Sequence, residues 1–155
     1  MRKCAFTAAI TILCLFVGFG MASAADVFKI GGLVPITGTQ AVMAEDLATG
    51  LKLAEEEVNA AGGVLGKPIK VIIEDTETRP APGMDAARKL LDVDKVSVLT
   101  GGFSSGVSLP IAKLAQSKGI LYVVAVPTSP LFADVGDYCF MIDVLDKFKG
   151  KAIVD

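Results

Sequence analysis

From Val27 onward the chain switches repeatedly between two hydrophobic periods, and this alternation constrains its fold more than any other feature. Short apolar or β-branched runs at Val27–Val34, Ile69–Ile73, Val96–Leu99, Ile120–Val126 and Tyr138–Ile142 are each bounded by Gly, Pro, Asp or Ser. Such runs read as strands buried on both faces. Between them the period lengthens. Leu47, Leu51, Ala54, Val58 and Ala61 recur at helical spacing, Glu45, Asp46, Lys52, Glu55, Glu56 and Glu57 largely take the other faces, and Gly62-Gly63 marks the stop. A second helix is expected near Pro82–Asp92 with Met84, Ala87, Leu90 and Leu91 inward. A third carries Ile111, Leu114 and Ala115 inward and ends at Gly119, and a fourth starts near Leu145. Strand and helix in alternation build a parallel sheet through right-handed crossovers. The expected fold class is therefore α/β, a doubly wound parallel sheet with helices on both faces.

The residues before Val27 belong to a different pattern. Arg2 and Lys3 form a basic start, Cys4–Met21 is an almost unbroken apolar run, and Ala22-Ser23-Ala24 has the small-x-small form that signal peptidase cuts. Residues 1–24 read as a signal peptide cleaved after Ala24, which sends residues 25–155 to the periplasm. The rival reading keeps the apolar run as a membrane anchor.

Export also bears on charge and cysteine chemistry. The whole chain holds 15 basic and 17 acidic residues, and losing Arg2 and Lys3 makes it more acidic. With no basic stripe, nucleic acid is not an expected partner. Cys4 and Cys14 leave with the signal, so Cys139 stands alone and has no intrachain disulfide partner. Its apolar neighbours make it a buried strand thiol.

In doubly wound sheets ligands sit beyond the carboxyl ends of the strands, where strand order reverses. The segments to watch are Pro35–Ala44, Glu74–Pro80, Gly101–Ser108 and Val126–Phe132. Gly101-Gly102-Phe103-Ser104-Ser105-Gly106 joins a strand to a helix, so small hydroxyls, free N–H groups and the helix dipole can converge there on a carboxylate. The same residues equally suit a tight turn and a helix cap. In Val126-Pro127-Thr128-Ser129-Pro130 the prolines hold an extended loop that presents two hydroxyls, again as a site or as a plain turn.

Several chemistries lose support. Gly102-Phe103-Ser104-Ser105-Gly106 matches the G-x-S-x-G of a serine hydrolase, yet the chain has no His to act as base. No enzyme activity is expected. Neither Gly31-Gly32 nor Gly62–Lys67 forms a dinucleotide or P-loop fingerprint, so no cofactor is expected. Glu74, Asp75 and Glu77 read as a solvated acidic edge, and no metal is expected.

The sequence resembles the type I periplasmic binding proteins of the leucine/isoleucine/valine-binding group, receptors of branched-chain amino-acid ABC transporters. The resemblance rests on Val27–Gly38, on Glu55–Ile69 with its Asn-Ala-Ala-Gly-Gly-Val-Leu-Gly-Lys-Pro run, and on Gly119-Ile120-Leu121 leading to Pro127-Thr128-Ser129-Pro130. It implies the N-terminal lobe of a two-lobed clamp, with the second lobe absent from this sequence. Counting from Gly119, it puts Ser105 on a ligand's α-carboxylate, the Val126 carbonyl on its ammonium and Thr128 on both, with Ser104 alongside. Met43 falls where several members place an aromatic over the ligand side chain, which leaves side-chain preference open. Thr78 and Ser104 stand near the family's paired cysteines, so that tie is missing. The implied role is capture of an amino acid or similar small polar solute for an ABC permease in the inner membrane. A ligand-sensing ectodomain of a membrane-anchored receptor is the alternative.

Overall fold

The computed structural model describes residues 26–154, so the signal-like segment and its cleavage site lie outside the described residues. Five parallel strands form one sheet: β1 (Phe28–Val34), β2 (Ile69–Asp75), β3 (Val98–Gly101), β4 (Leu121–Val124) and β5 (Cys139–Met141). Their order is β2-β1-β3-β4-β5. The chain steps outward from β1 to β2, then returns across β1 to β3, so strand order reverses between β1 and β3. The expected runs are all strands, with β3 shifted two residues later than its apolar pattern.

Helix α1 (Ala41–Ala60) packs on β1 and β2. It also finishes the exposed edge of β2. The Asn59 side chain receives the Ile69 N–H at 2.8 Å and donates to the Ile69 carbonyl at 2.9 Å, while the Glu55 carboxylate receives the Val71 N–H at 2.9 Å. Glu55 is therefore half-buried at a strand edge that would otherwise offer unpaired backbone groups. After α1 the chain reverses through Val64–Lys67, where Leu65 and Gly66 both have positive φ, the geometry of a two-residue hairpin turn.

Helix α2 (Pro80–Arg88) begins at Pro80, two residues before the expected proline, because Pro80 occupies the first turn, where its missing N–H costs nothing. It widens into a π-helical turn at Lys89–Val93, and the adjacent Leu90 and Leu91 are both buried. Helix α3 (Ser105–Lys118) ends at Gly119 in the left-handed conformation, as the sequence indicates. The two helices touch closely: a Cβ at Gly83 of α2 would lie 2.6 Å from Val107 of α3. A short 3-10 turn (Pro130–Asp134) leads to β5, and α4 (Asp146–Val154) follows.

Alternation along the strands assigns the two faces. Leu33, Leu99, Tyr122 and Val124 point toward α2 and α3 and join Leu90, Ile111, Ala112 and Phe132 in the main core. On the opposite face α1 packs on β1 and β2. Helices flank both faces, but the strands are not all buried on both sides: Leu121 is 37% and Phe140 57% exposed on the α1 side of β4 and β5. Cys139 is half-buried on β5, and burial pushes its thiol above the usual value.

Candidate functional site

The carboxyl ends of β1 and β3 bound the crevice where strand order reverses. One wall is the loop after β1. Asp75, the last residue of β2, holds it in place. Its Oδ1 receives the N–H groups of Ile36 at 2.9 Å, Thr37 at 3.2 Å and Glu77 at 2.8 Å, and its Oδ2 receives the Thr37 hydroxyl at 2.6 Å. Partial burial opposes the charge on Asp75, but these hydrogen bonds, led by the Thr37 hydroxyl, outweigh it and hold the carboxyl below its usual value.

Thr78 adds a second tie, receiving the Gln40 N–H at 3.2 Å. Glu77 and Thr78 both have positive φ, and Gly38 packs against them so closely that a Cβ there would stand 2.4 Å from the Glu77 carbonyl. Glu74 pairs with Lys89 and Glu77 with Arg79. The expected solvated acidic edge is thus a hydrogen-bonded brace. Its sequence signal was present as an Asp at a strand's carboxyl end followed by Thr-x-Thr.

The second wall consists of the loops after β3 and β4, which are stitched together. Ala125 N–H donates to the Gly101 carbonyl at 2.8 Å and Val126 N–H to the Gly102 carbonyl at 3.4 Å. Ser104 is the N-cap of α3, yet its hydroxyl makes no cap hydrogen bond. Ser105 follows as the first helical residue, half-buried, and Gly106 is exposed. The Val107 and Ser108 N–H groups donate to the Ser104 carbonyl at 3.2 and 2.9 Å, which leaves the Ser105 and Gly106 N–H groups without an intrahelical acceptor and this end of α3 with partial positive charge. The Thr128 carbonyl receives the Asp146 N–H at 3.0 Å, which ties the loop to the start of α4. Among the described residues, the hydroxyls of Ser104, Ser105 and Thr128 and the Val126 carbonyl have no hydrogen-bond partner.

Ser104, Ser105, Val126 and Thr128 therefore share one edge of the sheet. Met43 lies at that same edge on the opposite wall, on the first turn of α1, and is 70% exposed. A depression of about 350 Å³ lies behind that wall, lined by Val34, Pro35, Ile36, Ala41, Ala44 and Ala48. It takes in neither serine nor Thr128, so the polar groups and this apolar hollow do not coincide.

The backbone also bears on the G-x-S-x-G match. A nucleophile elbow needs a strained turn at the serine. Ser104 is extended, with φ −106 and ψ 132, and Ser105 is helical.

A sequence profile of the periplasmic binding protein family matches residues 27–155. The chain is 34% identical over 136 residues to Leu/Ile/Val-binding protein homolog 1 of Brucella abortus, which covers 88% of this chain and 36% of that protein. The branched-chain amino acid transporter substrate-binding protein LivJ of Streptococcus pneumoniae, solved with isoleucine, superposes with a TM-score of 0.74 at 28% identity, covering 77% of this chain and 34% of its own. A solute-binding protein of an ABC transporter from Rhodopseudomonas palustris BisB5, solved with 3,4-dihydroxybenzoic acid, gives 0.70 at 28% identity over 77% and 32%. The chain thus spans about a third of the length of such relatives. With the family profile covering all but the N-terminal segment, and the expected parallel sheet and strand-end loops in place, the chain belongs to the periplasmic binding protein family.

Proposed function

We propose that this chain is one ligand-gripping lobe of an exported receptor that captures a carboxylate-bearing solute, an amino acid above all, for an ABC permease in the inner membrane. The observation that carries this reading is the second wall. Three hydroxyls and a carbonyl without partners stand beside a helix N-terminus at the switch point of the sheet. None of these groups is spent on the protein's own structure, so each is free to exchange water for an external partner.

The roles follow from chemistry. Ser104, Ser105 and the first-turn N–H groups of α3 offer donors to a carboxylate. The Val126 carbonyl accepts from an ammonium, and the Thr128 hydroxyl can serve either end. Isoleucine and 3,4-dihydroxybenzoic acid, the ligands of two relatives, share only the carboxylate and an apolar body. The carboxylate grip is thus the common element, and the Val126 carbonyl favours amino acids over aromatic acids. Met43, Val42 and Ile36 supply exposed apolar surface for a side chain.

Such a protein works by stoichiometric capture, not turnover. A second lobe closes over the ligand, and the closed form is presented to the permease. In this reading residues 1–24 direct export and are removed after Ala24; among the described residues no helix is long and apolar enough to cross a membrane. The test is calorimetry with full-length protein and a panel of amino acids and aromatic acids. Thr128→Ala is expected to weaken the best ligand by about 1–3 kcal/mol, since a buried partner is left unpaired. Unchanged affinity removes Thr128 from the site.

A further inference from the structure

Behind the β3–α3 loop, two hydroxyls are buried side by side without a hydrogen bond of good geometry to any neighbour. Tyr122 on β4 and Ser108 in the first turn of α3 are both fully buried. Among the described residues neither the Tyr122 Oη nor the Ser108 Oγ has a hydrogen-bond partner. Both converge on one point, because a Cβ at Gly102 would stand 2.5 Å from each. Gly102 itself is left-handed, with φ 84, and its N–H donates to the Leu33 carbonyl at 2.7 Å.

These groups call for an explanation. Phe in place of Tyr122 together with Ala in place of Ser108 would suit the apolar surroundings of Leu99, Ile111 and Val124 and strand no polar atom. Burial raises the Tyr122 phenol far above its usual value, and the Ser108 hydroxyl beside it offsets only part of that. The phenol therefore stays protonated at every physiological pH and remains a donor.

We infer that Tyr122 and Ser108 form a hydroxyl shelf beneath Gly102 that positions the Gly102–Gly106 loop for a carboxylate ligand. The inference rests on reading that loop as a carboxylate grip. The shelf fills the space a side chain at position 102 would need, so the loop turns through a left-handed glycine. That turn sets where Ser104 and the first N–H groups of α3 stand. Tyr122 and Ser108 touch no ligand. They are positioning residues that act through Gly102.

The experiment is Tyr122→Phe in the full-length protein, read in two ways, with Ser108→Ala carrying the same test if Tyr122→Phe does not fold. The first reading is calorimetry with L-isoleucine and with L-isoleucinol, which keeps the side chain and ammonium but lacks the carboxylate. Tyr122→Phe is expected to weaken isoleucine about tenfold, change isoleucinol by less than about twofold, and leave Tm unchanged or raised. The second is amide hydrogen exchange at Ser104–Gly106 without ligand, expected to quicken about tenfold against the β4 amides. Equal losses for the two ligands, or an unchanged isoleucine affinity, overturn the shelf. If the unaltered protein binds neither ligand, isoleucine is not its solute. Exchange alone then decides the shelf: faster exchange upholds it, and unchanged exchange refutes it.

Discussion

The two walls of the crevice are built from similar residues and finished in opposite ways. Both are strand-end loops of small residues, with Gly and Thr on the first wall and Gly, Ser and Thr on the second. On the β1 side the polar groups are consumed internally: Asp75 binds three N–H groups and the Thr37 hydroxyl, and Thr78 binds Gln40. On the β3–β4 side the backbone is stitched, but Ser104, Ser105 and Thr128 keep their hydroxyls uncommitted among the described residues. The same residue types thus serve as scaffold on one wall and as reserve on the other. Substitutions should separate the two, with the first wall read in stability and the second in binding.

The largest expected effect is at Gly38. A Cβ there meets the Glu77 carbonyl at 2.4 Å, and φ is 91. Both the contact and the left-handed backbone penalise a side chain, so Gly38→Ala should cost about 2–4 kcal/mol of folding stability. Urea denaturation measures this. A loss below about 1 kcal/mol would mean the wall yields easily and the contrast between walls is overstated.

Asp75→Asn comes next, at about 1–2 kcal/mol near neutral pH, because Asn keeps one acceptor oxygen and loses the charge that strengthens all four bonds. Its pH dependence follows from the lowered carboxyl. An Asp held below its usual 3.8 stabilises the fold fully above that value and loses the contribution as pH falls through the folded-state value. The gap between the parent protein and Asp75→Asn should therefore be constant from about pH 5 to 7 and narrow below about pH 4. A gap that persists unchanged at pH 3 would assign the loss to packing instead.

How far the sequence reveals this architecture depends on whether a residue's job shows in its own neighbourhood. The strands and the strand-end loops were legible because apolar runs and Gly or Pro punctuation are local. The Ser105, Val126 and Thr128 positions came from a resemblance, and the structure places them at one edge of the sheet. Jobs set by distant partners were hidden. Asp75 reads as one acid in an acidic loop until Ile36 and Thr37 arrive from β1. Tyr122 reads as one more apolar residue in Leu121-Tyr122-Val123-Val124, because nothing local shows that its hydroxyl meets Ser108 under Gly102. Glu55 and Asn59 were the nearest to legible, since a spacing of four puts both on one helix face. Only the register of β2 shows that this face closes a sheet edge. The open side of β4 and β5 was misread for the complementary reason. An apolar run reports that a strand can be buried, but which helix reaches it depends on strand order.

Ser104→Ala should have the smallest effect on stability and the sharpest contrast with Asp75→Asn. Removing a serine from a helix N-cap usually costs about 0.5–2 kcal/mol, because its hydroxyl satisfies a first-turn N–H. Ser104 makes no such bond, so its replacement should shift folding stability by less than about 0.5 kcal/mol. Ligand affinity should nevertheless fall about tenfold, the scale of one lost hydrogen bond to a charged group. Chemical denaturation and calorimetry on the same preparation give both numbers. A normal capping loss with unchanged affinity would move Ser104 to the scaffold side and leave Ser105, Thr128 and the helix N–H groups as the whole of the grip.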